Sequence, residues 1–234
     1  MKAFILVLCA LIIHAATAQH LTYREWQEQS FRDMRLMPEY GNRPKNAEML
    51  ASDSDFVAQT LQAIPDPRKA SNVLVDHGFE LLRSGDMTKA MFRFNQAFLV
   101  DPKNPAIHRG YGAFFIALDQ NTEAAKQYQK GLALDSTNTA LMTDMAGVFL
   151  AEHYNLKADE PEKSAQLLDG ATGLLLRAVE LDPGNAEAHF KLSACYLNKK
   201  ECEQAWTHFE KSVQLGSPSA DEVYRAQLMR ACPK

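Results

Sequence analysis

The chain says nearly the same thing twice, as LVDPKNPAIHRGYGAFF from Leu99 and as ELDPGNAEAHFKLSACY from Glu180. In both, an apolar residue precedes Asp-Pro, an Asn follows shortly, and a His then opens a new apolar stripe. Proline cannot continue the helix that precedes it and pre-sets a turn. The phrase therefore reads as a joint between helices, and its reuse predicts a stack of similar units. After the first joint His108, Tyr111, Gly112 and Phe115 fall at the spacing of one helix face, and Ala124, Tyr128 and Gly131 mark a second helix. The segment before it repeats the pattern with Leu74, His77, Gly78 and Leu81, then Ala90, Phe94 and Ala97. So does the segment after Pro183, with His189, Leu192, Ser193 and Tyr196, then Ala205, Phe209 and Ser212.

Slot by slot, small residues alternate with large ones. Gly78, Gly112, Ala146 and Ser193, and again Ala90, Ala124, Ala171 and Ala205, stand where helices must approach closely. Leu81, Phe115, Phe149 and Tyr196, then Phe94, Tyr128, Leu175 and Phe209, fill the space between them. This pattern resembles the tetratricopeptide repeat, a helix-turn-helix unit of about 34 residues written W-x2-L-G-x2-Y, A-x3-F, P. The resemblance covers residues 71–216 and implies an all-α fold, a right-handed α-solenoid of about four helix pairs. The repeats run 71–104, 105–138, 139–185 and 186–216. His108 and His189 depart from the pattern in the tryptophan slot, His77 in the leucine slot, and Ser136 in a proline slot.

The two joints lie 81 residues apart, 13 more than two repeats, and the excess sits between Phe149 and Ala171. Tyr154–Pro161 reads as an exposed loop, passive or partner-binding, and Glu162–Leu181 as an overlong helix with proline at its favoured first position. Past Ser217-Pro218-Ser219, residues 217–234 predict a final helix that caps the apolar end every array exposes. Upstream, residues 19–70 form a helical and looped segment. Thr22 and Glu25 make a capping box for a helix carrying Tyr23, Trp26, Phe31 and Met34. Asp53 and Ser54 are expected to cap another, which stops at Pro65. These helices either cap the front of the array, the favoured reading, or fold back into its groove.

Lys2 precedes the apolar run Ala3–Ile13, which ends in Ala16-Thr17-Ala18. That is the form of a secretory signal, residues 1–18, with cleavage after Ala18 and a secreted or periplasmic product. The run is short for a span, which takes about 20 apolar residues. A lipoprotein reading through Cys9 fits poorly, because bulky Leu8 stands where a small residue is wanted. Export leaves Cys195, Cys202 and Cys232 where disulfides persist. If the last helix lies antiparallel to the second helix of repeat four, Cys202 meets Cys232; Cys195 to Cys202 is the rival pairing. The spacings give no zinc site.

A net charge of −4 without any long run of one sign disfavours nucleic acid. No H-E-x-x-H, G-x-S-x-G or phosphate-loop motif is present, so catalytic, cofactor and metal residues are assigned to none and an enzyme is not expected. His77, His108 and His189 are read as buried packing residues, His153 and His208 as surface ones.

The family resemblance implies that first helices line a concave face. Val75, Phe79 and Leu82, then Arg109, Ala113 and Ile116, then Thr143, Gly147 and Leu150, then Phe190, Ala194 and Leu197 would form its floor, flanked by Asp76, Arg83, Asp144 and Lys191. Phe79, Arg83, Arg109, Ala113, Asp144, Phe190 and Lys191 are the candidate peptide-binding residues. The carboxylate clamp of chaperone-binding relatives is not matched, since Val75 and Phe79 occupy its first-repeat places. The expected function is a protein- or peptide-binding adaptor of the cell envelope; the alternative is a structural homo-oligomer whose groove is self-filled.

Overall fold

A computed structural model describes residues 21–234, so the signal segment and Cys9 lie outside the described residues. Among the described residues the regular structure is entirely helical. The arm before the array holds α1 (Tyr23–Arg32), two short 3-10 turns (Met34–Leu36 and Pro38–Asn42) and α2 (Ala47–Ala63). Four antiparallel pairs follow: α3 (Pro67–Arg83) with α4 (Met87–Val100), α5 (Pro105–Ile116) with α6 (Asn121–Leu134), α7 (Thr139–Leu156) with α8 (Pro161–Leu181), and α9 (Ala186–Lys199) with α10 (Cys202–Gln214). Helix α11 (Glu222–Ala231) closes the chain. Each first helix touches the next, α3 to α5 to α7 to α9, and each second helix touches the first helix of the following pair. The first helices thus share one inner face and the second helices lie outside.

The repeated phrase is a double cap. Asp101, Asp135 and Asp182 end the second helices, and each carboxylate accepts a backbone N–H two residues on, from Lys103, Thr137 and Gly184. Asn104, Asn138 and Asn185 then cap α5, α7 and α9 through their side-chain oxygens. The Asn104 amide also reaches back to Ser71 Oγ and Asn72 Oδ1, and that of Asn185 to Thr143 Oγ1, so the same residue ties one repeat to the one before.

Size complementarity holds the pairs together. The fully buried Phe94 ring lies against both Gly78 and Gly110, where an added Cβ would come within 2.4 and 2.5 Å of it. Gly112 lies even closer to the Tyr128 ring, 2.1 Å from such a Cβ. The histidines in the tryptophan slot have a specific partner: His108 Nδ1 meets Gln127 Oε1 at 3.2 Å, and His189 Nδ1 meets His208 Nδ1 at 2.9 Å, both across a pair at the same spacing.

Several expectations need correcting. His77 is exposed, because α3 opens the array and no second helix precedes it, whereas Tyr111 in the same slot is covered by α4. His153 is buried rather than superficial, bonded to Ser164 Oγ at 2.7 Å, and His208 is half-buried, stacked on His189 and Tyr196. The loop expected at Tyr154–Pro161 is shorter, since α7 continues to Leu156 and leaves only residues 157–160 as a turn, while the overlong helix expected over Glu162–Leu181 is present as α8 from Pro161. Both helices of this pair are longer than their neighbours, because two helices packed side by side can bury added turns that a loop cannot. Helix α2 starts well before Asp53, capped by Asn46.

The arm does not enter the groove. From α1 through the two 3-10 turns it lies in the outer furrow between α4 and α6, and only α2 packs on the first pair, against α4 and α3. Trp26 packs edge-on against Phe114 and Phe115, and its indole N–H donates to the Leu36 carbonyl at 2.8 Å. Phe31, expected to need burial, is 78% exposed. At the far end α11 packs on α10 through buried Leu228, a disulfide joins Cys202 to Cys232, and Cys195 is a buried free thiol that burial pushes up to about 11.

Candidate functional site

The inner face is one connected row of side chains rather than an open apolar floor. Phe79 on α3 leans edge-on against Phe94, with ring centroids 5.5 Å apart. The Arg109 guanidinium of α5 covers Phe79 at 5.1 Å from the ring centroid. Its Nε donates to Asp144 Oδ2 on α7 at 2.7 Å. From α9, Lys191 Nζ donates to the Thr143 carbonyl at 3.2 Å and lies 3.9 Å from Glu187 Oε1. Gly147 makes room for that ammonium, since a Cβ there would sit 3.2 Å from Nζ. The row therefore crosses all four first helices.

The sequence-derived candidates divide accordingly. Phe79, Arg109, Asp144 and Lys191 are brought together in this row. Ala113 is half-buried on α5 and Arg83 is exposed in the last turn of α3. Phe190 is not an open seat: Tyr224 of α11 lies edge-on against it at 4.8 Å, and the Tyr224 hydroxyl pairs with Ser193 Oγ at 2.9 Å. Burial pushes the Tyr224 phenol up to about 12, so it stays neutral and serves as packing and hydrogen-bond partner.

Two contributors escaped sequence reasoning. Glu187 accepts from Ser217 and Ser219 as well as facing Lys191, so it ties the row to the segment before α11; its i,i+4 spacing to Lys191 was the available signal. Asn198 collects the longer α7, donating to the Tyr154 hydroxyl at 2.7 Å and accepting from Lys157. Only the added turn of α7 creates that contact.

Chemically the face suits recognition. The charges are held in place by partners yet half-exposed, as for Arg109, whose side chain is 40% accessible and uses one of its donors on Asp144. A serine-histidine pair exists, Ser164 and His153, but both are sealed between α7 and α8 and the hydroxyl also bonds the His153 carbonyl at 2.9 Å. No cluster of three metal-ligating side chains occurs among the described residues.

The fold and its inner face define a helical-repeat scaffold. A tetratricopeptide-repeat family model matches residues 174–207, from within α8 into α10. Residues 174–207 are thus similar to a tetratricopeptide repeat, and the helix pairs on either side of them continue the same architecture. The type IV pilus assembly protein PilF of Pseudomonas aeruginosa is 25% identical over 147 residues, which span 63% of this chain and 54% of that protein. The chain thus matches about half the length of this curated relative. A solved structure of Pseudomonas aeruginosa PilF superposes with a TM-score of 0.56 at 24% identity, covering 70% of this chain and 69% of that one. A thermophilic tetratricopeptide-repeat protein of Thermus thermophilus gives 0.57 at 16% identity, covering 70% and 92%. These structural likenesses concern the fold. No helix among the described residues is long and apolar enough to cross a membrane.

Proposed function

We propose that this protein is a non-catalytic adaptor exported to the cell envelope, which holds a protein or peptide partner on the inner face of its repeats. The observation that carries this reading is the row from Phe79 through Arg109 and Asp144 to Lys191. It presents oriented charges beside small side chains, Ala113 and Ala194, that leave space for a ligand backbone. Such a groove suits a peptide whose apolar groups pack along the small residues while an acidic group reaches the unused donors of Arg109. The relation to PilF, a type IV pilus assembly protein by name, supports a role in assembling something at the envelope. The signal-like residues 1–18 support export. The alternative of a self-filled groove is disfavoured, because the arm that would fill it lies on the outer face.

The test is affinity capture from envelope extract with three purified forms: the natural protein, a Phe79→Asp/Arg109→Glu variant, and a Gln129→Lys control on the exposed side of α6. The partner should be lost with the inner-face variant and kept with the control, all three giving the same helical circular dichroism. Equal retention by all three forms moves the binding surface elsewhere.

A further inference from the structure

The arm is bound the way a receptor binds a peptide. Asn95 of α4 is fully buried, and its amide donates to two carbonyls of the arm, Arg35 at 2.7 Å and Met37 at 2.9 Å. Its oxygen accepts from the Tyr111 hydroxyl at 2.7 Å, and that hydroxyl accepts from the Glu39 backbone N–H at 3.1 Å. Main-chain groups are thus read by side chains that belong to the array. Side chains of the arm supply the rest: Trp26 against Phe114 and Phe115, Arg35 over Phe92, and Glu39 paired with Lys130 of α6 at 2.6 Å. The backbone is shaped for this fit, since Glu39, Tyr40, Gly41 and Asn42 all lie in the left-handed region at φ of 52–62°. A run of side-chain-bearing residues there is costly and persists only where the surroundings fix it.

The arm also behaves as a separable piece. Apart from apolar packing on the array, including that of α2 on α4 and α3, its other hydrogen bonds and ion pairs are internal: Trp26 to the Leu36 carbonyl, Arg43 to the Phe31 carbonyl, and the Lys45 ammonium over the Tyr40 ring and paired with Asp53 of α2. Helix α2 follows with no fully buried residue, so lifting it exposes little apolar surface. It spans about 25 Å at the usual rise and joins the array through Ile64, Pro65 and Asp66, where Ile64 and Asp66 are extended ahead of the two prolines Pro65 and Pro67.

We propose that the outer furrow between α4 and α6 is a second peptide site, and that its ligand is the arm of either the same copy or a second copy of this chain. Exchange of residues 22–63 then joins two copies. Every contact of the closed form is reproduced in the exchanged one, so the balance depends on effective concentration and on the hinge at residues 64–66 rather than on new interactions. The proposal is independent of what the inner face binds.

The Glu39–Lys130 pair supplies the test. A Glu39→Lys variant and a Lys130→Glu variant each place like charges together when the arm docks on its own chain. Mixing them restores opposite charges at one furrow of an exchanged heterodimer, where the natural Glu39 arm of one copy meets the natural Lys130 of the other, and reverses the pair at the second furrow. With one variant isotopically heavy, native mass spectrometry should show light–heavy dimers well above the half that random pairing gives, and little dimer in either variant alone. For the natural protein, a concentrated mixture of light and heavy copies treated with a zero-length cross-linker should yield Glu39–Lys130 cross-links joining one light and one heavy peptide. Cross-links that are solely light–light or heavy–heavy, or a variant mixture that stays monomeric or pairs at random, overturn the proposal.

Discussion

Replacing Gly112 by alanine sets two effects against each other. In the middle of a helix alanine is favoured over glycine by about 1 kcal/mol. In α5, however, the new Cβ would lie 2.1 Å from Tyr128 Cε1 and 2.6 Å from both Cδ1 and Cζ. Carbon atoms pack favourably at about 3.5–4.0 Å, so a rigid ring that is 3% exposed must move by more than an ångström inside a full core. Overpacking of this kind costs about 1–3 kcal/mol, and the ring has no flexible end to swing aside, which puts the cost at the upper limit. The net expectation is a loss of about 2 kcal/mol, or a fall in melting temperature of about 4–8 °C for a chain of this size. Gly173 in α8 provides the internal control, because a Cβ there meets no atom within 4 Å. Gly173→Ala should stabilise by about 0.4–1 kcal/mol. Urea unfolding followed by far-ultraviolet circular dichroism measures both. If Gly112→Ala raises the midpoint, or if the two variants shift it in the same direction, close packing of small against large residues is not what holds the pairs together.

Three further outcomes are expected. Burial, together with the neighbouring His189, holds His208 at about 4, and burial also lowers His189 and His108, so the native state binds fewer protons than the unfolded chain. Their contribution is therefore fully present above about pH 6.5 and is lost as the pH falls toward about 4. His208→Gln copies the His108–Gln127 pairing of the second repeat and should flatten the fall in urea midpoint measured across that window. The Cys202–Cys232 bridge closes a separation of 30 residues, for which chain entropy predicts about 3–4 kcal/mol. Cys232→Ser should accordingly unfold at lower urea, and reductant should lower the natural protein's midpoint but not the variant's. Asn95→Leu leaves the Arg35 and Met37 carbonyls and the Tyr111 hydroxyl without their partner, a loss of about 1–3 kcal/mol for each buried group left unpaired. Limited proteolysis should then cleave within residues 31–46 while the array remains intact.

The repeats were legible because their signals are local. Periodic spacing places Phe94 and Tyr128 in the core, and the Asp-Pro-x-Asn phrase marks the joints through caps that act within three residues. The final helix and the meeting of Cys202 with Cys232 follow from two antiparallel helices of known length. The inner face was only half legible. Arg109 and Asp144 could be placed on it by counting, but 35 residues separate the two and their bond depends on how α5 and α7 pack. Phe190 was misjudged for the same reason, since nothing near it in sequence announces that Tyr224 will cover it.

By itself the sequence determined the class of element, the repeat and the alternation of small and large residues, because each rests on interactions within a helix or between a helix and its nearest neighbour. Only the tertiary structure decided where the arm lies, that α7 runs on to Leu156 through part of the expected loop, and that His77 is exposed while His153 is buried. Those outcomes depend on surfaces that exist once several helices have assembled: the furrow that receives Trp26 and the two carbonyls held by Asn95 is made by α4, α5 and α6 together. His77 and Tyr111 occupy the same slot and differ in whether the second helix of a preceding repeat covers them.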